Sequence, residues 1–281
     1  MRLGIFAKTF AGSDPMTVLT AARDAGYASV QYNMACSGLP SLPERVDATV
    51  ISSIVEAREK TSVDICALSA TYNMAHPDAA VRGAGLRRLE VLAEAAAALN
   101  IGLLTLCSGT RDPDDQWRRH RNNETPEAWT DMLDSMEQAV HIADRFDLYL
   151  GVEPELANIV NSAEKAARLI RDMATPRIKV VFDPANLFET TSRSEQRRIV
   201  SAAVDLLGEH VAIGHAKDRT ADGAFIAAGQ GVLDYDHYLG CLFEAGFDGV
   251  VVTHGLDSDE APAVSAFLSE ALWRQDLGRR P

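Results

Sequence analysis

Cysteine is scarce in this 281-residue sequence, and the few thiols are scattered along it. None of the four shows CxxC spacing, so we expect neither a zinc knuckle nor a disulfide framework. A free cysteine behaves as a small apolar residue, which predicts reduced and mostly buried thiols. The four are Cys36, Cys66, Cys107 and Cys241.

Long apolar runs are also missing. A membrane helix needs about 18 to 20 consecutive apolar residues, and no stretch of the chain provides them. The first residues, MRLGIFAKTFAGSD, contain too short an apolar run for a signal peptide. These absences predict a cytoplasmic protein with no membrane partner.

Positive charge is in short supply. The chain has 27 Lys and Arg residues against 40 Asp and Glu residues, which gives a formal net charge of −13. Binding to a phosphodiester backbone depends mainly on lysine and arginine, because these residues release its counterions. We therefore expect no nucleic-acid partner.

The sequence has a regular alternation of two kinds of segment. Eight short runs rich in β-branched residues alternate with longer amphipathic runs such as DPMTVLTAARDAG, in which Asp14 is a candidate N-cap and Pro15 suits the first turn. Such alternation requires parallel strands joined by crossover helices. The predicted strands cover residues 3–7, 28–32, 64–69, 103–107, 148–153, 178–183, 211–215 and 249–253.

Eight strand–helix units predict an α/β protein, a single (β/α)8 TIM-barrel domain over residues 1–281. A doubly wound open sheet is the structural alternative, and the lack of GxGxxG after the first strand disfavours its dinucleotide-binding form. Two connections, 108–125 and 216–234, are unusually long. Both follow strands, so they belong to the carboxyl-end face of the barrel, where active sites of this architecture lie.

Four successive predicted strands end in a potential metal ligand. The four are Glu153 in GVEPELAN, Asp183 in VVFDPANLF, His215 in AIGHAKD and His254 in VVTHGL. Their separations match one strand–helix unit each, so barrel closure brings them to one rim. Two carboxylates and two imidazoles suit Mn²⁺, Zn²⁺, Fe²⁺ or Co²⁺ better than Ca²⁺. The sequence therefore predicts one divalent ion at this rim.

The same segments resemble those of sugar phosphate isomerases and epimerases of the xylose-isomerase-like TIM-barrel superfamily. The most specific are EPE at Glu153, DPAN at Asp183 and HAKD at His215, and the likeness covers nearly the whole chain. It implies a divalent ion held by these three residues and a fourth from the last strand. Mn²⁺ is the expected ion, with Zn²⁺, Mg²⁺, Co²⁺ and Fe²⁺ as alternatives.

The fourth ligand is where the chain departs from this pattern. Well-known ketose epimerases of the superfamily carry a glutamate there, and their two metal-bound glutamates trade a proton on opposite faces of the substrate carbon. This chain has Thr253 and His254 instead. We expect His254 to keep the ion, since neutral imidazole is a common ligand, but the two-glutamate proton exchange does not carry over.

Polar and aromatic residues after the strands are candidates for binding a polyol, because hydroxyls need donors and acceptors and C–H edges pack on aromatic faces. The candidates are Tyr72, Asn73, His76, Arg111, Trp117, His120, Glu155 and Asn186, with Lys8 and Gln31 as further ones. Each of two candidates has a structural alternative. Trp117 would instead hold its loop against the barrel, and His76 would instead stand at the start of a helix.

Lys217 lies two residues after His215 and so on the same side of an extended segment. We expect its charge to polarise a carbonyl, with Asp218 holding it or orienting a histidine. A surface ion pair is the alternative for both residues.

These residues predict proton transfer next to the carbonyl of a ketose or keto-polyol, through a metal-stabilised enediolate, as in a sugar isomerase or epimerase. Glu153 is the predicted base, with His254 or His76 as its partner and Lys217 as a further catalytic residue. A dehydratase or lyase acting on a keto-sugar or keto-inositol is the enzymatic alternative, because it needs only one base.

Two other hypotheses belong to different functional classes. A DNA-repair endonuclease on the same barrel would need more metal ligands and a basic groove, which the acidic balance disfavours. A sugar-binding barrel without catalysis is the non-enzyme alternative. For the sugar-converting enzymes and for the sugar-binding barrel, the expected partner is a small sugar or sugar derivative. We also expect a homo-oligomer, because exposed barrel helices often form dimers or tetramers in this superfamily.

Overall fold

Eight parallel strands close into a ring in the computed structural model, which describes residues 1–277. They are β1 (Arg2–Phe6), β2 (Ser29–Tyr32), β3 (Asp64–Ser69), β4 (Leu103–Cys107), β5 (Tyr149–Glu153), β6 (Ile178–Phe182), β7 (Val211–Ala216) and β10 (Val250–Thr253). Each strand pairs with its neighbour in the chain, and β10 closes the ring by pairing Val250 with Arg2 of β1. The predicted (β/α)8 barrel is confirmed, while residues 278–281 of the predicted domain lie outside the described part.

Helices connect the strands on the outside of the ring. They are α1 (Pro15–Asp24), α2 (Ala48–Thr61), α3 (Ala79–Ala98), α4 (Pro126–Phe146), α5 (Ala163–Met173), α6 (Arg193–Leu207), α7 (Tyr235–Glu244) and α8 (Ala261–Leu277). The first shows why these segments become helical. Asp14 accepts a hydrogen bond from the Thr17 amide at 2.9 Å, Pro15 occupies the first turn, and Val18 and Leu19 are buried against the barrel.

The apolar residues of the strands face two ways. Most buried residues form one large core between the ring and its helices. A separate small cluster draws on five strands and consists of Ala67, Leu103, Val181, Ile213, Val250 and Val252. Because side chains alternate between the two faces of a strand, this second cluster fills the interior of the barrel. It provides a packed floor beneath the carboxyl ends of the strands.

The two long connections both leave the carboxyl ends of barrel strands, as predicted. The second one contains a short antiparallel hairpin formed by β8 (Asp218–Arg219) and β9 (Phe225–Ile226).

All four cysteines are free, two of them buried and two partly buried. Within residues 1–277, no helix combines the length and apolar character needed to cross a membrane.

Candidate active site

Four side chains converge at the carboxyl ends of neighbouring strands. One ligand atom of each lies within 4.8 Å of the corresponding atoms of the others, and the set is Glu153, Asp183, His215 and His254. Glu153 is the last residue of β5 and Asp183 directly follows β6. His215 lies near the end of β7, and His254 directly follows β10. The structure thus brings together the four residues that the strand ends indicated.

The ring of His215 is held so that one nitrogen faces the cluster. Its Nε2 lies 2.9 Å from Oε1 of Gln31, while Nε2 of Gln31 donates to Oγ1 of Thr105 at 3.1 Å. With the amide oriented in this way, the neutral ring of His215 carries its proton on Nε2 and keeps a lone pair on Nδ1. That Nδ1 is buried and has no hydrogen-bond partner among the described residues.

Nδ1 of His215 instead faces Oε1 of Glu153 at 3.4 Å. When the ring is neutral, two acceptor atoms point toward one another in this buried site, an arrangement that a bound cation satisfies. The donor set of two carboxylates and two imidazoles also fits a divalent transition-metal ion. This orphaned nitrogen is our main structural evidence that the residues fit a metal.

Asp183 is the most enclosed member of the cluster. Its Oδ2 lies 3.2 Å from Nε2 of His254 and 3.1 Å from Nζ of Lys217, and its Oδ1 accepts from the Ala185 amide at 2.9 Å. Burial by itself would raise the pKa of Asp183, but the Lys217 ammonium holds it well below its usual range. Burial also lowers the pKa of His254, with His215 and Lys217 adding to the effect. Both groups are therefore in the state that a metal ligand requires.

Asn186 connects Glu153 to Lys217. Its Nδ2 donates to Oε1 of Glu153 at 2.8 Å, and its Oδ1 accepts from Nζ of Lys217 at 3.1 Å. Burial would raise the pKa of Glu153, but His215, when its ring is protonated, brings that pKa below its ordinary value. The ionised carboxylate and the ammonium are thus fixed relative to one another.

The cluster opens into a cavity of about 280 Å³, which we call the inner cavity. Trp117 and Glu155 lie in its wall with Glu153, His215 and His254. The side chain of Glu155 is partly buried. This burial, together with the negative charge of Glu153, raises the pKa of Glu155 to about 8. Perturbed carboxyl groups beside a cavity are typical of functional sites.

Three predicted substrate residues from the connection after β3 do not line the inner cavity. Tyr72 is buried against α3, so close to Gly85 that a Cβ there would lie 2.1 Å from its ring. Asn73 accepts a hydrogen bond from the Thr110 amide and donates to the Asp112 carbonyl. His76 accepts from the Asp78 amide with Nδ1 and donates from Nε2 to the Pro113 carbonyl. Asn73 and His76 therefore hold the connections after β3 and β4 together, whereas Tyr72 packs against a helix.

Arg111 and His120 also lie outside the wall of that cavity. Arg111 donates to Oδ2 of Asp131 at 2.6 Å and to the Ala75 carbonyl at 3.2 Å. His120 precedes a short 3₁₀ turn, where its Nδ1 accepts from the Asn122 amide at 3.3 Å. Hydrogen bonds to distant parts of the chain direct Arg111, and a local one directs His120, so sequence spacing carries no information about either choice.

Asp218 does not hold Lys217 or a histidine. It is fully buried and accepts hydrogen bonds from the backbone amides of Arg219, Gly229, Gly231 and Leu233 at 2.8–3.1 Å. The alternation of an extended segment explains this, because neighbours such as Lys217 and Asp218 point to opposite sides. Asp218 therefore organises the long loop from inside.

Several residues of the inner cavity were not predicted. Asn33, Ser41, Ser69, Thr71 and Gln116 line it beside the weaker candidates Lys8 and Gln31. A signal was available, because Gln31 and Asn33, like Ser69 and Thr71, are polar pairs at period-two spacing where β2 and β3 end. Their proximity to Glu153 arises only from closure of the barrel.

Comparison with known proteins identifies the family. A model of the xylose isomerase-like TIM barrel matches residues 19–278, which is most of the chain. The chain belongs to this family. Several solved structures have the same fold as this xylose isomerase-like TIM barrel. In a comparison with curated proteins, no match is found.

Solved structures of sugar epimerases share the fold of this family member at low sequence identity. A D-tagatose 3-epimerase-like protein is 16% identical with a TM-score of 0.78, and 99% of each chain is covered. A 3-keto-D-glucoside 4-epimerase from E. coli is 14% identical with a TM-score of 0.76, covering 96% of this chain and 99% of the other. An IOLI protein with a bound zinc atom is 18% identical with a TM-score of 0.74, covering 98% and 99%. At these identities the likeness shows the fold alone.

Proposed function

We propose that this protein is a divalent-metal-dependent sugar isomerase or epimerase, which moves a proton next to the carbonyl of a ketose or keto-polyol. One observation carries the proposal. The cluster of Glu153, Asp183, His215 and His254, with its ligand atoms within 4.8 Å of one another, opens directly into a polar cavity large enough for a sugar.

The four residues of the cluster would hold the ion. When bound, a divalent ion supplies positive charge that polarises the carbonyl and makes the adjacent C–H bond more acidic. Mn²⁺ remains the ion we expect, with Zn²⁺, Mg²⁺, Co²⁺ and Fe²⁺ as alternatives. The mixed nitrogen and oxygen donors support a transition metal over Ca²⁺.

Glu153 is the proposed base, because it is ionised, faces the inner cavity and is oriented by Asn186. For its partner we replace the earlier expectation. His76 lies outside the wall of the inner cavity, and His254 is engaged with Asp183 as a candidate ligand. Glu155 is the second carboxyl group in that wall. We propose that Glu155 carries out the second of the two proton transfers, the one that does not involve Glu153.

Lys217 supports this assignment as a fixed positive charge. Its ammonium is buried, and burial would lower its pKa, but Asp183 raises it above the ordinary value. The charge therefore persists throughout the neutral pH range. A buried ammonium beside the cluster stabilises negative charge that develops on a substrate oxygen.

The structural neighbours are in agreement with the proposal. Solved structures with the same fold include proteins described as D-tagatose 3-epimerase-like, as a 3-keto-D-glucoside 4-epimerase and as an L-ribulose 3-epimerase. A further neighbour holds a zinc atom. Because these likenesses extend to the fold only, the assignment to this chain rests on its own residues.

Solvent exchange tests the proposal. Metal-loaded protein is incubated in heavy water with a panel of ketoses, namely D-fructose, D-tagatose, D-psicose and L-ribulose, and deuterium at the carbon beside the carbonyl is measured by NMR. We expect incorporation together with an isomer or epimer, and we expect Glu153→Gln to abolish it because an amide cannot accept the proton.

Other outcomes would point to the alternatives. An unsaturated or cleaved product without a deuterated isomer would favour the dehydratase or lyase, which the histidine in the fourth ligand position supports. Tight sugar binding with no exchange would favour a binding barrel.

The homo-oligomer stays a prediction, and sedimentation of the metal-loaded protein would test it.

A further inference from the structure

The inner cavity continues into a second cavity on the same face of the barrel. This outer cleft has a volume of about 460 Å³, and Trp117, Glu155 and His254 lie in the walls of both. The two are therefore neighbouring parts of one depression, with the candidate metal ligands at its inner end. A monosaccharide held at the cluster would leave the outer cleft unfilled.

Two large aromatic side chains stand in the wall of the outer cleft, and both are half exposed. Trp117 has 50% of its surface accessible and Phe225 has 52%. Trp117 comes from the loop after β4, and Phe225 from the hairpin after β7. Exposed aromatic residues beside a polar cavity are typical of surfaces that contact a ligand.

Both aromatic residues stand on loops built around a buried aspartate. In the first loop, Asp112 accepts from two backbone amides at 3.0 Å and from two nitrogens of Arg118 at 2.6 and 2.7 Å. In the second, Asp218 accepts four backbone amides. The cleft is thus preformed, and binding to a preformed surface costs less conformational entropy.

The charged groups of the cleft favour a neutral ligand over an anion. Lys217 is bonded to Asp183 and Asn186, and Arg219 donates to the Ala185 carbonyl. Both cations also lie against Phe225, with Nζ of Lys217 3.9 Å and Cζ of Arg219 4.0 Å from the ring centroid. Lys217 is paired with Asp183, and both cations are buried with their donors already engaged, so they are poorly placed to bind a phosphate.

The remaining charged side chains at the rim are of opposite sign. Arg119 and Glu189 are both exposed and both line the outer cleft. Together they offer donors and acceptors without net charge. Two aromatic side chains in a wall that also holds charged groups of opposite sign match a pyranose ring, whose C–H edges pack on aromatic rings and whose hydroxyls need donors and acceptors.

We propose that the substrate is a glycoside, with its reacting sugar in the inner cavity and a second sugar ring in the outer cleft between Trp117 and Phe225. The identity of the reacting end rests on the proposed function, whereas the second ring rests on the cleft itself. The protein would therefore prefer a ketose disaccharide to the corresponding free ketose.

Calorimetry on metal-loaded protein tests this preference. The probes are D-fructose and three disaccharides in which glucose is attached to the 3-, 4- or 6-hydroxyl of fructose. The disaccharides are turanose, maltulose and isomaltulose, respectively. We expect at least one disaccharide to bind about tenfold more tightly than fructose, which corresponds to about 1.4 kcal/mol. Trp117→Ala and Phe225→Ala should bring the ratio of the two Kd values to about one.

The ratio is compared within each variant, so a general loss of affinity cancels. Trp273→Ala is the matched control, because Trp273 is 57% exposed but lies on α8, away from the cleft, and it should keep the tenfold ratio. Equal affinity of the wild-type protein for all four sugars would overturn the proposal. So would a preference that survives both Trp117→Ala and Phe225→Ala.

Solvent deuterium exchange, measured in parallel, separates this inference from the proposed function. Exchange with fructose but no preference for any disaccharide removes the glycoside and leaves the isomerase or epimerase. A disaccharide preference that depends on Phe225, without exchange, retains the cleft and removes the reaction.

Discussion

Oε1 of Gln31 lies 2.9 Å from Nε2 of His215, and this contact leaves the other ring nitrogen of the histidine facing Glu153. Gln31 stands on β2 and His215 on β7, with β1 and β10 between them in the ring. A hydrogen bond across the barrel therefore selects the tautomer and orientation of a candidate ligand.

Gln31→Leu is expected to weaken metal binding by about 10- to 100-fold, because His215 loses the acceptor that fixes its proton on Nε2. Competition with a chelating dye measures the affinity. Gln31→Glu is the matched control, since a carboxylate also accepts from Nε2, and it should stay within a few-fold of the wild type. Equal affinity in the Leu variant would show that the tautomer is fixed by something else.

Asp183→Asn should abolish stoichiometric metal binding and the rise in Tm on adding metal. Binding to the folded state alone raises stability in proportion to the logarithm of ligand concentration, and the amide is a much poorer ligand. Elemental analysis and thermal melts provide the measurements. Asp112→Asn is the control, because Asp112 is also buried but belongs to the loop after β4, and it should keep its metal.

Glu155→Gln should lower the rate of ketose turnover by about 10²- to 10⁴-fold, the usual contribution of a general acid or base. Metal content should stay at the wild-type level, because Glu155 is outside the candidate ligand cluster. Glu153→Gln, by contrast, should reduce both quantities. The proton-transfer role of Glu155 fails if its Gln variant turns over ketose at the wild-type rate.

Asp218→Asn should destabilise the fold by about 1–3 kcal/mol, because an amide nitrogen replaces an oxygen that accepts from buried backbone amides. Nicking of residues 216–234 by a protease should become faster. Asp222→Ala, at the exposed tip of the same loop, should leave both the unfolding midpoint and the cleavage rate near wild type. Equal behaviour of the two variants would refute the organising role of Asp218.

The barrel and its four convergent side chains were accessible from the sequence. Strand–helix alternation counts the units, and a parallel barrel places every strand end on one face. Residues such as Asp183 and His254 therefore meet whatever the details of the loops. Lys217 was predicted correctly to lie on the side of His215, because period-two alternation is a local property of extended chain.

Tertiary structure alone decided where the loop residues point and which strands face one another. Tyr72 and Arg111 looked like substrate residues, but Gly85 gives the first a niche against α3 and Asp131 pairs with the second. Gln31 reaches His215 only because the ring closes. Local propensity sets elements and their alternation, whereas a side chain in an irregular loop follows whichever packing niche or hydrogen-bond partner the closed fold brings within reach.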